Sequence, residues 1–557
     1  MRTMSDKRTA QATAIEMANR QREISVSEYF LKNRHLLGFD TPSRAVVTAV
    51  KEAVDNALDA CEEAGILPDI TVELADGHGR SRIVVEDNGP GIVEGQIARI
   101  FGKLLYGSKF HKLSQSRGQQ GMGISAAGMY AQLTAAKPLH IISRIAGDEL
   151  ASELYVSIDI ARNRPDIHKK RRLRWDRPHG TRVEMEIEGQ YQKGAHSVDA
   201  YLKQVAIANP HVAIVYRSPR GDEIRFSRST KELPPRPREI KPHPHGIELG
   251  RLIQLLTDTR SRTLLRFLVD EFSRVGKRKA LRIIENAGRP LSDRSFPRRI
   301  ARAQAMALHK ALQDTRVLAP KADCIVPIGE KQLLAGLDKE LSADFCTVVT
   351  RPAASYRGNP FQVEVGLAFG RSGAEIAEDV TQQRGDGMPA EHDPPARNEE
   401  SIHLLRFANR VPLLYQQSSC AITKAVIQTN WRSYGLHQPK GALPIAPMVI
   451  LVHVASVWVP YTSESKEAVE PYPEILQEIR LGLQQCGRRL AQHLRHKVLL
   501  QQERERRDYI ERYLPHIGVA LQEILGFGNQ DREAIVRKLD EVLLKSRAAT
   551  CRNHDNA

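Results

Sequence analysis

Cysteine is scarce and scattered in this chain. Its six residues, Cys61, Cys324, Cys346, Cys420, Cys486 and Cys551, include no Cys-x-x-Cys pair. That spacing argues against a zinc site or a disulfide framework, so the six read as reduced, mostly buried thiols. Long apolar runs are missing too. The longest, Met448–Val459, is interrupted by His453 and Ser456 and is too short to span a bilayer, and no early run resembles a signal peptide. The expectation is a soluble, cytoplasmic protein, nucleoid-associated if it binds DNA. No internal repeat is visible. Neither GxxxxGK[ST] nor GxGxxG occurs, which excludes a Walker or Rossmann nucleotide site, and no Asp-x-Asp pair occurs anywhere.

What the chain does have is positive charge: 82 Lys and Arg against 66 Asp and Glu, a net charge of +16. Such an excess attracts a polyanion and points to nucleic acid rather than an acidic small molecule as a partner. A length of 557 residues suggests about three to five domains, since single cores rarely grow past about 250–300 residues.

The first 25 residues are polar and read as an arm. Residues 26–235 alternate helical periodicity with β-branched runs such as Ile70–Leu74, Ile83–Val85 and Val183–Ile187, the pattern of an α+β layer fold. Prolines 234, 235, 237, 242 and 244 mark a linker. Two amphipathic stretches follow, Leu249–Val269 and Ala301–Leu312, separated by Gly276 and the Gly288–Arg289–Pro290 turn. Strand-like runs return at Phe361–Phe369, Ala421–Gln428 and Met448–Trp458, with a polar, Gly- and Pro-containing loop expected to be disordered at 371–400. A long helix is predicted from Tyr472 to about Arg512, broken at Tyr513–Leu514–Pro515, before a last helix over Asp531–Leu544.

Three motifs carry chemistry. In the helical stretch Val46–Cys61, Glu52, Asn56 and Asp59 share the face opposite Val46, Val50, Val54 and Ala57. A solvated surface helix would look the same. The functional reading makes Glu52 a general base for water and the Asn56 amide oxygen a ligand of Mg²⁺, a hard ion that wants oxygen donors. Second, Asp87–Asn88–Gly89–Pro90–Gly91–Ile92 follows the apolar run Ile83–Val85. A plain strand-to-turn exit is the simpler explanation. Yet glycines flanking a proline let backbone approach a flat ring, and a buried Asp carboxylate can accept a hydrogen bond from an exocyclic amine such as that of adenine. Third, Gly118, Gly121 and Gly123 precede a helix pattern at Ala126–Leu133, which places backbone N–H groups where phosphates can sit.

Together with His179–Gly180–Thr181, these motifs resemble the ATP site of the GHKL group, which includes gyrase, Hsp90, MutL and the histidine kinases. Within it, Ser116–Gly121, Leu404–Tyr415, Val454–Pro460 and Tyr513–Ile517 resemble the B-subunit family of DNA topoisomerase VI, a type IIB enzyme. The resemblance covers nearly the whole chain. It implies an α+β multidomain protein with a GHKL (Bergerat) ATPase sandwich over 26–240, after an N-terminal strap at 1–25. A helix-two-turn-helix domain at 241–318 and an α/β transducer with a long C-terminal helix at 319–500 would follow, then an A-subunit-binding region at 501–557.

By the same resemblance, ATP and Mg²⁺ are the cofactors. Glu52 is the catalytic base, Asn56 the metal ligand and Asp87 the adenine contact, with Gly91 beside it. Ser108, Lys109, Gly118, Gln119, Gln120, Gly121, Met122, Gly123, Ile124 and Ser125 wrap the sugar and phosphates, and Thr181 joins the adenine pocket through water. The resemblance also implies a transducer cation on the γ-phosphate. Where a Trp-Lys-x-Tyr motif is expected the chain has Trp431–Arg432–Ser433–Tyr434, which makes Arg432 the candidate, with Lys440 or a purely surface Arg432 as alternatives. The implied partners are double-stranded DNA, a second copy of the chain in an ATP-dependent dimer, and a cleaving A subunit in an A2B2 heterotetramer, since the Asp-x-Asp cluster that cleavage needs is absent here. Between Arg260 and Lys310, 14 Lys and Arg stand against four Asp and Glu, a candidate DNA-facing surface. Another GHKL DNA clamp, of mismatch-repair or gyrase type, and a non-hydrolysing scaffold are the alternatives; a degenerate scaffold would be expected to lose Glu52 and the lid glycines.

Overall fold

The computed structural model describes residues 14–21, 23–107, 113–118, 121–341, 343–370, 402–463, 465–526 and 528–554. The 371–400 insertion and residues 1–13 of the strap lie outside the described residues.

Two short helices, α1 (Ala14–Arg20) and α2 (Val26–Lys32), precede α3 (Pro42–Ala64). The start of α3 is written locally: the Thr41 hydroxyl accepts from the Arg44 N–H at 3.4 Å, and Pro42 occupies the first turn, where its missing N–H costs nothing. Gly65, left-handed at φ 77°, ends it. An eight-stranded sheet follows, built from β1 (Asp69–Gly77), β2 (Arg80–Asp87), β3 (Leu139–Arg144), β4 (Ala151–Asp159), β5 (Arg164–Leu173), β6 (Gly180–Glu188), β7 (Ala213–Arg217) and β8 (Glu223–Phe226). Its spatial order is β5-β4-β3-β6-β2-β1-β7-β8, antiparallel except for the β1–β7 pair. The strands β3 and β6 alternate buried and half-buried residues, so one face meets α3 and the helices α4 (Glu94–Gly102) and α5 (Gly123–Ala135). The register of three neighbouring strands aligns Thr181 on β6 with Asp87 on β2 and Ser143 on β3.

After α6 (Val198–Ala208), residues 227–243 carry no helix or strand, where the proline cluster predicts a linker. The helices α7 (Leu249–Asp258), α8 (Leu264–Glu271), α9 (Lys277–Ala287) and α10 (Arg302–Asp314) then enclose a core of their own around Leu252, Phe267, Phe272, Ile283 and Leu308. The stretch Leu249–Val269, expected to be one amphipathic unit, is thus two helices. Thr263 interrupts it by capping α8 through the Arg266 N–H at 3.3 Å.

The third layer begins with α11 (Glu330–Glu340) and a six-stranded sheet. Its strands are β9 (Phe345–Thr350), β10 (Ala354–Tyr356), β11 (Asn359–Phe369), β12 (His403–Ala408), β13 (Val411–Pro412) and β14 (Met448–Ser456). β14 is buried along its whole length between β11 and β12. Ala421–Gln428, expected to be a strand, is a helix, α12. Its buried apolar positions 421, 422, 425 and 426 follow helical spacing, which a short apolar run does not distinguish from a strand until the partners are known. Ile207 and Ala208 of α6 share a core with Leu333 and Leu337 of α11, which joins this layer to the first.

The helix α13 (Pro473–Leu525) runs through Pro515, where a break was expected. A proline removes one helical hydrogen bond and costs about 3 kcal/mol in a helix interior, yet the helix continues to Leu525. Residues 433–435 and 487–557 form a second compact unit. Within it α14 (Asn529–His554) returns along α13, and Gly518 lies so close that a Cβ there would come within 2.5 Å of Val536 Cγ2. No helix among the described residues is long and apolar enough to cross a membrane.

Candidate active site

One cavity of about 550 Å³ gathers most of the predicted residues: Glu52, Asn56, Asp87, Gly91, Gly118, Gly121, Met122, Gly123, Ile124 and Thr181 all line it. Their sequence separation is closed by the packing of α3 and α5 on the sheet. Glu52 is half-buried and Asn56 exposed on the cavity face of α3. The end of the lid, residues 107–123, presses directly on Glu52: a Cβ built on Gly123 would sit 1.6 Å from Glu52 Oε2. A side chain where α5 begins would therefore displace the Glu52 carboxylate. Among the described residues no three His, Cys, Asp or Glu side chains form a metal-binding group. One amide oxygen facing a phosphate-sized space fits Mg²⁺, which usually keeps several waters and takes the rest of its ligands from nucleotide phosphates.

At the other end Asp87 is buried, and its Oδ1 accepts from the Gly89 N–H at 2.8 Å and the Thr181 N–H at 3.2 Å. No described residue donates to Oδ2, which leaves that oxygen for a ligand amine. Burial pushes the carboxyl up to about 6, against the pull of those two N–H donors. Two glycines make the close packing possible. Gly91, at φ 75°, would place a Cβ 2.0 Å from Arg144 O, and Gly180, at φ 135°, would place one 2.1 Å from Asp87 O. Ser143 is a site residue that motif reading misses. Its hydroxyl accepts from the Ile92 N–H at 2.8 Å and lies 3.0 Å from the Thr181 hydroxyl, fixing the turn and the strand that flank Asp87.

The start of α5 has no side-chain cap, so the N–H groups of its first turn face the cavity unshielded. The Ser125 side chain is engaged elsewhere. Its hydroxyl donates to Ile100 O and Lys103 O, both at 3.0 Å, and closes the end of α4 instead. The predicted contacts Ser108, Lys109, Gln119 and Gln120 lie outside the described residues.

The expectation for Arg432 needs correction. Arg432 does not line the cavity, and its guanidinium donates to Gln438 O at 2.9 Å from Nε and 2.6 Å from Nη2. The neighbouring Trp431 is fully buried and donates to Val426 O, which anchors this short turn inside the third layer. Lys440 is exposed and also off the cavity. Among the described residues the cation that does line it is Lys466, buried on the loop after β14, whose Nζ donates to Arg117 O at 3.1 Å. Sequence offered one signal for it: a serine-containing, strandless segment straight after the longest apolar run, Met448–Val459. Ser465 lines the cavity as well, and its carbonyl accepts from Lys51 Nζ at 3.3 Å.

Asp59, on the same face of α3, pairs instead with the buried Arg117, at 2.9 Å from its Nη1. Arg117 also grips Glu62 with both terminal nitrogens, at 2.8 and 2.7 Å, and donates to Asn209 Oδ1 at 2.6 Å. Burial alone would raise the Glu62 carboxyl, but the Arg117 charge, the hydrogen bonds from His211 and Arg117 and the Arg410 charge together outweigh it and hold the group well below its usual range.

An acid on a helix, a buried carboxylate at a Gly-Pro-Gly turn and a glycine lid over a helix start define an ATPase of the GHKL class. A family model described as histidine kinase-, DNA gyrase B- and HSP90-like ATPase matches residues 41–188, and one described as topoisomerase VI B subunit, transducer matches residues 320–506. The B subunit of type 2 DNA topoisomerase 6 from Archaeoglobus fulgidus is 46% identical over 510 residues, covering 91% of this chain and 80% of that one. The proteins of the same name from Methanococcoides burtonii and Pyrococcus furiosus are 45% and 38% identical, over 96% and 90% of this chain and 82% and 91% of theirs. The chain belongs to the B-subunit family of type 2 DNA topoisomerase 6, and is an ATP-binding topoisomerase subunit.

Proposed function

We propose that this chain is the ATP-hydrolysing B subunit of a type IIB topoisomerase, an ATP-gated dimeric clamp that passes one DNA duplex through another and relaxes supercoils. A separate A subunit, docked on the C-terminal unit, makes the break. The observation that carries the reading is one cavity lined by Glu52 from the ATPase segment and Lys466 from the transducer segment, together with Gly118, Gly121 and Gly123.

In this reading Asp87 Oδ2 accepts from the adenine amine, with Ser143 and Thr181 holding the turn around it. The first-turn N–H groups of α5 and the lid take the phosphates. Asn56 would hold Mg²⁺, which supplies charge neutralisation between the phosphates when bound. Glu52 takes the proton from the attacking water. Lys466 contributes the positive charge on the γ-phosphate that Arg432 was expected to provide. Because Lys466 and Glu52 come from different segments, a triphosphate bridges them, and hydrolysis removes the bridge.

The roles of the two cations separate in one assay. Mixed with an A subunit and supercoiled plasmid, the parent chain is expected to relax DNA only with ATP and Mg²⁺. Lys466→Ala should lower ATP turnover at least about 30-fold with nucleotide still bound, as expected for losing one charge-assisted contact to a transferring phosphate. Arg432→Ala should keep turnover within about twofold, as a side chain off the site would. The reverse order would return the role to Arg432, and relaxation by this chain without an A subunit would refute the division of labour.

The helices α7 to α10 correspond to the helix-two-turn-helix domain. They are closed around their own core, which leaves Lys277 and Arg278 exposed at the start of α9 and Arg298 and Arg299 on the turn before α10. This is a surface for phosphates, read without sequence. Changing Lys277, Arg278 and Lys279 together to Glu is expected to weaken duplex binding by about 10- to 100-fold in moderate salt and to flatten the salt dependence by about three charges. Binding titrations across a salt series measure both, and equal slopes for variant and parent would remove the surface from the DNA path.

A further inference from the structure

The root of the lid, residues 115–118, is held from three separate places in the transducer segment. The Gln115 carboxamide pairs both ways with one backbone residue: Nε2 donates to Val326 O at 3.2 Å, and Oε1 accepts from the Val326 N–H at 2.6 Å. The Gln115 N–H donates to Cys324 O at 3.2 Å. One residue on, Ser116 O accepts from Asn409 Nδ2 at 3.1 Å, and the next carbonyl, that of Arg117, accepts from Lys466. Gln115 and Asn409 are 9% and 1% exposed. Asn409 sits left-handed, at φ 48°, in the tight turn between β12 and β13. It also exchanges two hydrogen bonds with Ser456 at the end of β14, each 2.9 Å, just where the chain departs toward Lys466.

Docking of the two layers does not need these bonds, because the apolar core shared by α6 and α11 already joins them. What the bonds reach is the lid. Past the root the chain turns at Gly121, at φ 57°, before α5 begins. The Arg117 side chain meanwhile ties the same root to α3 through Asp59 and Glu62.

We propose that Gln115 and Asn409 are positioning residues for ATP: by fastening residues 115–118 to the transducer segment, they hold that stretch of the cavity wall and the Lys466 ammonium as one body, so that a γ-phosphate is gripped only with both in place. Buried amide bonds of this kind are costly to leave unmade, which gives the linkage two discrete states, engaged and disengaged. The proposal rests on the reading of the cavity as an ATP site with Lys466 at its phosphate end. Its particular consequence is that Gln115 and Asn409, which touch no nucleotide, set the preference for triphosphate over diphosphate.

Calorimetric titration of the 557-residue chain with ADP and with a non-hydrolysable ATP analogue, both with Mg²⁺, tests it. In Gln115→Leu/Asn409→Ala the preference for the analogue should fall about tenfold, equivalent to roughly 1.4 kcal/mol or one to two net hydrogen bonds, with ADP affinity within twofold of the parent. Lys466→Ala should lose the same preference, and adding it to the double variant should change little more. Should the double variant fold poorly by thermal melting, Gln115→Leu alone is read in the same way with a smaller loss. An unchanged preference, or equal losses for ADP and analogue, overturns the proposal. If Lys466→Ala keeps the preference, the role of Lys466 fails and the proposal with it. If Lys466→Ala loses the preference and the double variant does not, only the lid fastening fails.

Discussion

Glu52→Gln is expected to stop ATP turnover while nucleotide still binds. The carboxylate lies in the cavity on the exposed stripe of α3, and its Oε2 sits against Gly123, in the space a Cβ there would claim. Gln matches its size, so the packing against the lid should survive. What disappears is the acceptor for the water proton, worth about 10²- to 10⁴-fold in rate for a positioned general base. Steady-state phosphate release should therefore drop at least about 100-fold, and the affinity for a non-hydrolysable ATP analogue should stay within about threefold. ATP-dependent relaxation with an A subunit should fall in parallel. Turnover within a few-fold of the parent would mean that another group takes the proton, and the assignment of the base would have to be abandoned.

The second large effect has opposite signs for binding and stability. Asp87→Asn should weaken ATP binding about 100-fold or more, because the amide places a donor where the adenine amine must donate. The same change should stabilise the ligand-free chain at neutral pH. The Asp87 carboxyl stands at about 6 in the fold against an ordinary 3.8, so the folded state holds its proton more tightly than the unfolded one. Its contribution to stability is thus fully present below the ordinary value and is lost as pH rises through about 6. At pH 8 the buried charge costs at most about 3 kcal/mol, since a tenfold change in proton affinity is worth roughly 1.4 kcal/mol. Asparagine keeps an oxygen for the Gly89 and Thr181 N–H groups and removes the charge. The linked expectation for the parent is that nucleotide affinity declines below about pH 6, approaching about tenfold for each further pH step of one. Melting curves at pH 5 and pH 8 and titration with ATP decide it. A variant less stable than the parent at pH 8, or an affinity flat from pH 8 to pH 5, would contradict the reading of Asp87.

Much of the catalytic half is local and so was legible in the residues. Glu52 and Asn56 sit one helical turn apart on a helix whose cap and terminator are written at Thr41, Pro42 and Gly65. The Asp87–Ile92 box is a strand end and its turn. Where reading along the chain went astray, the deciding partner was distant. Ser125 has the composition of a phosphate contact, but α4 takes its hydroxyl. Arg432 fills a motif position and spends its guanidinium on Gln438 O. Lys466 carries no motif on the catalytic side, and only the meeting of the two layers brings it to the cavity.

The amino-acid sequence by itself determined the elements and the chemical kinds: which helix is amphipathic, which turn demands glycine, and which groups could act as base, amide ligand and adenine acceptor. These follow from backbone sterics and side-chain periodicity, which operate over a few residues. Tertiary structure alone decided which described cation lines the cavity and how the lid root is held. Those outcomes depend on loops more than 200 residues apart, such as Gln115 with Val326 and Asn409 with Ser116. Their partners are backbone carbonyls and N–H groups, which every residue carries, so no local pattern could mark them in advance.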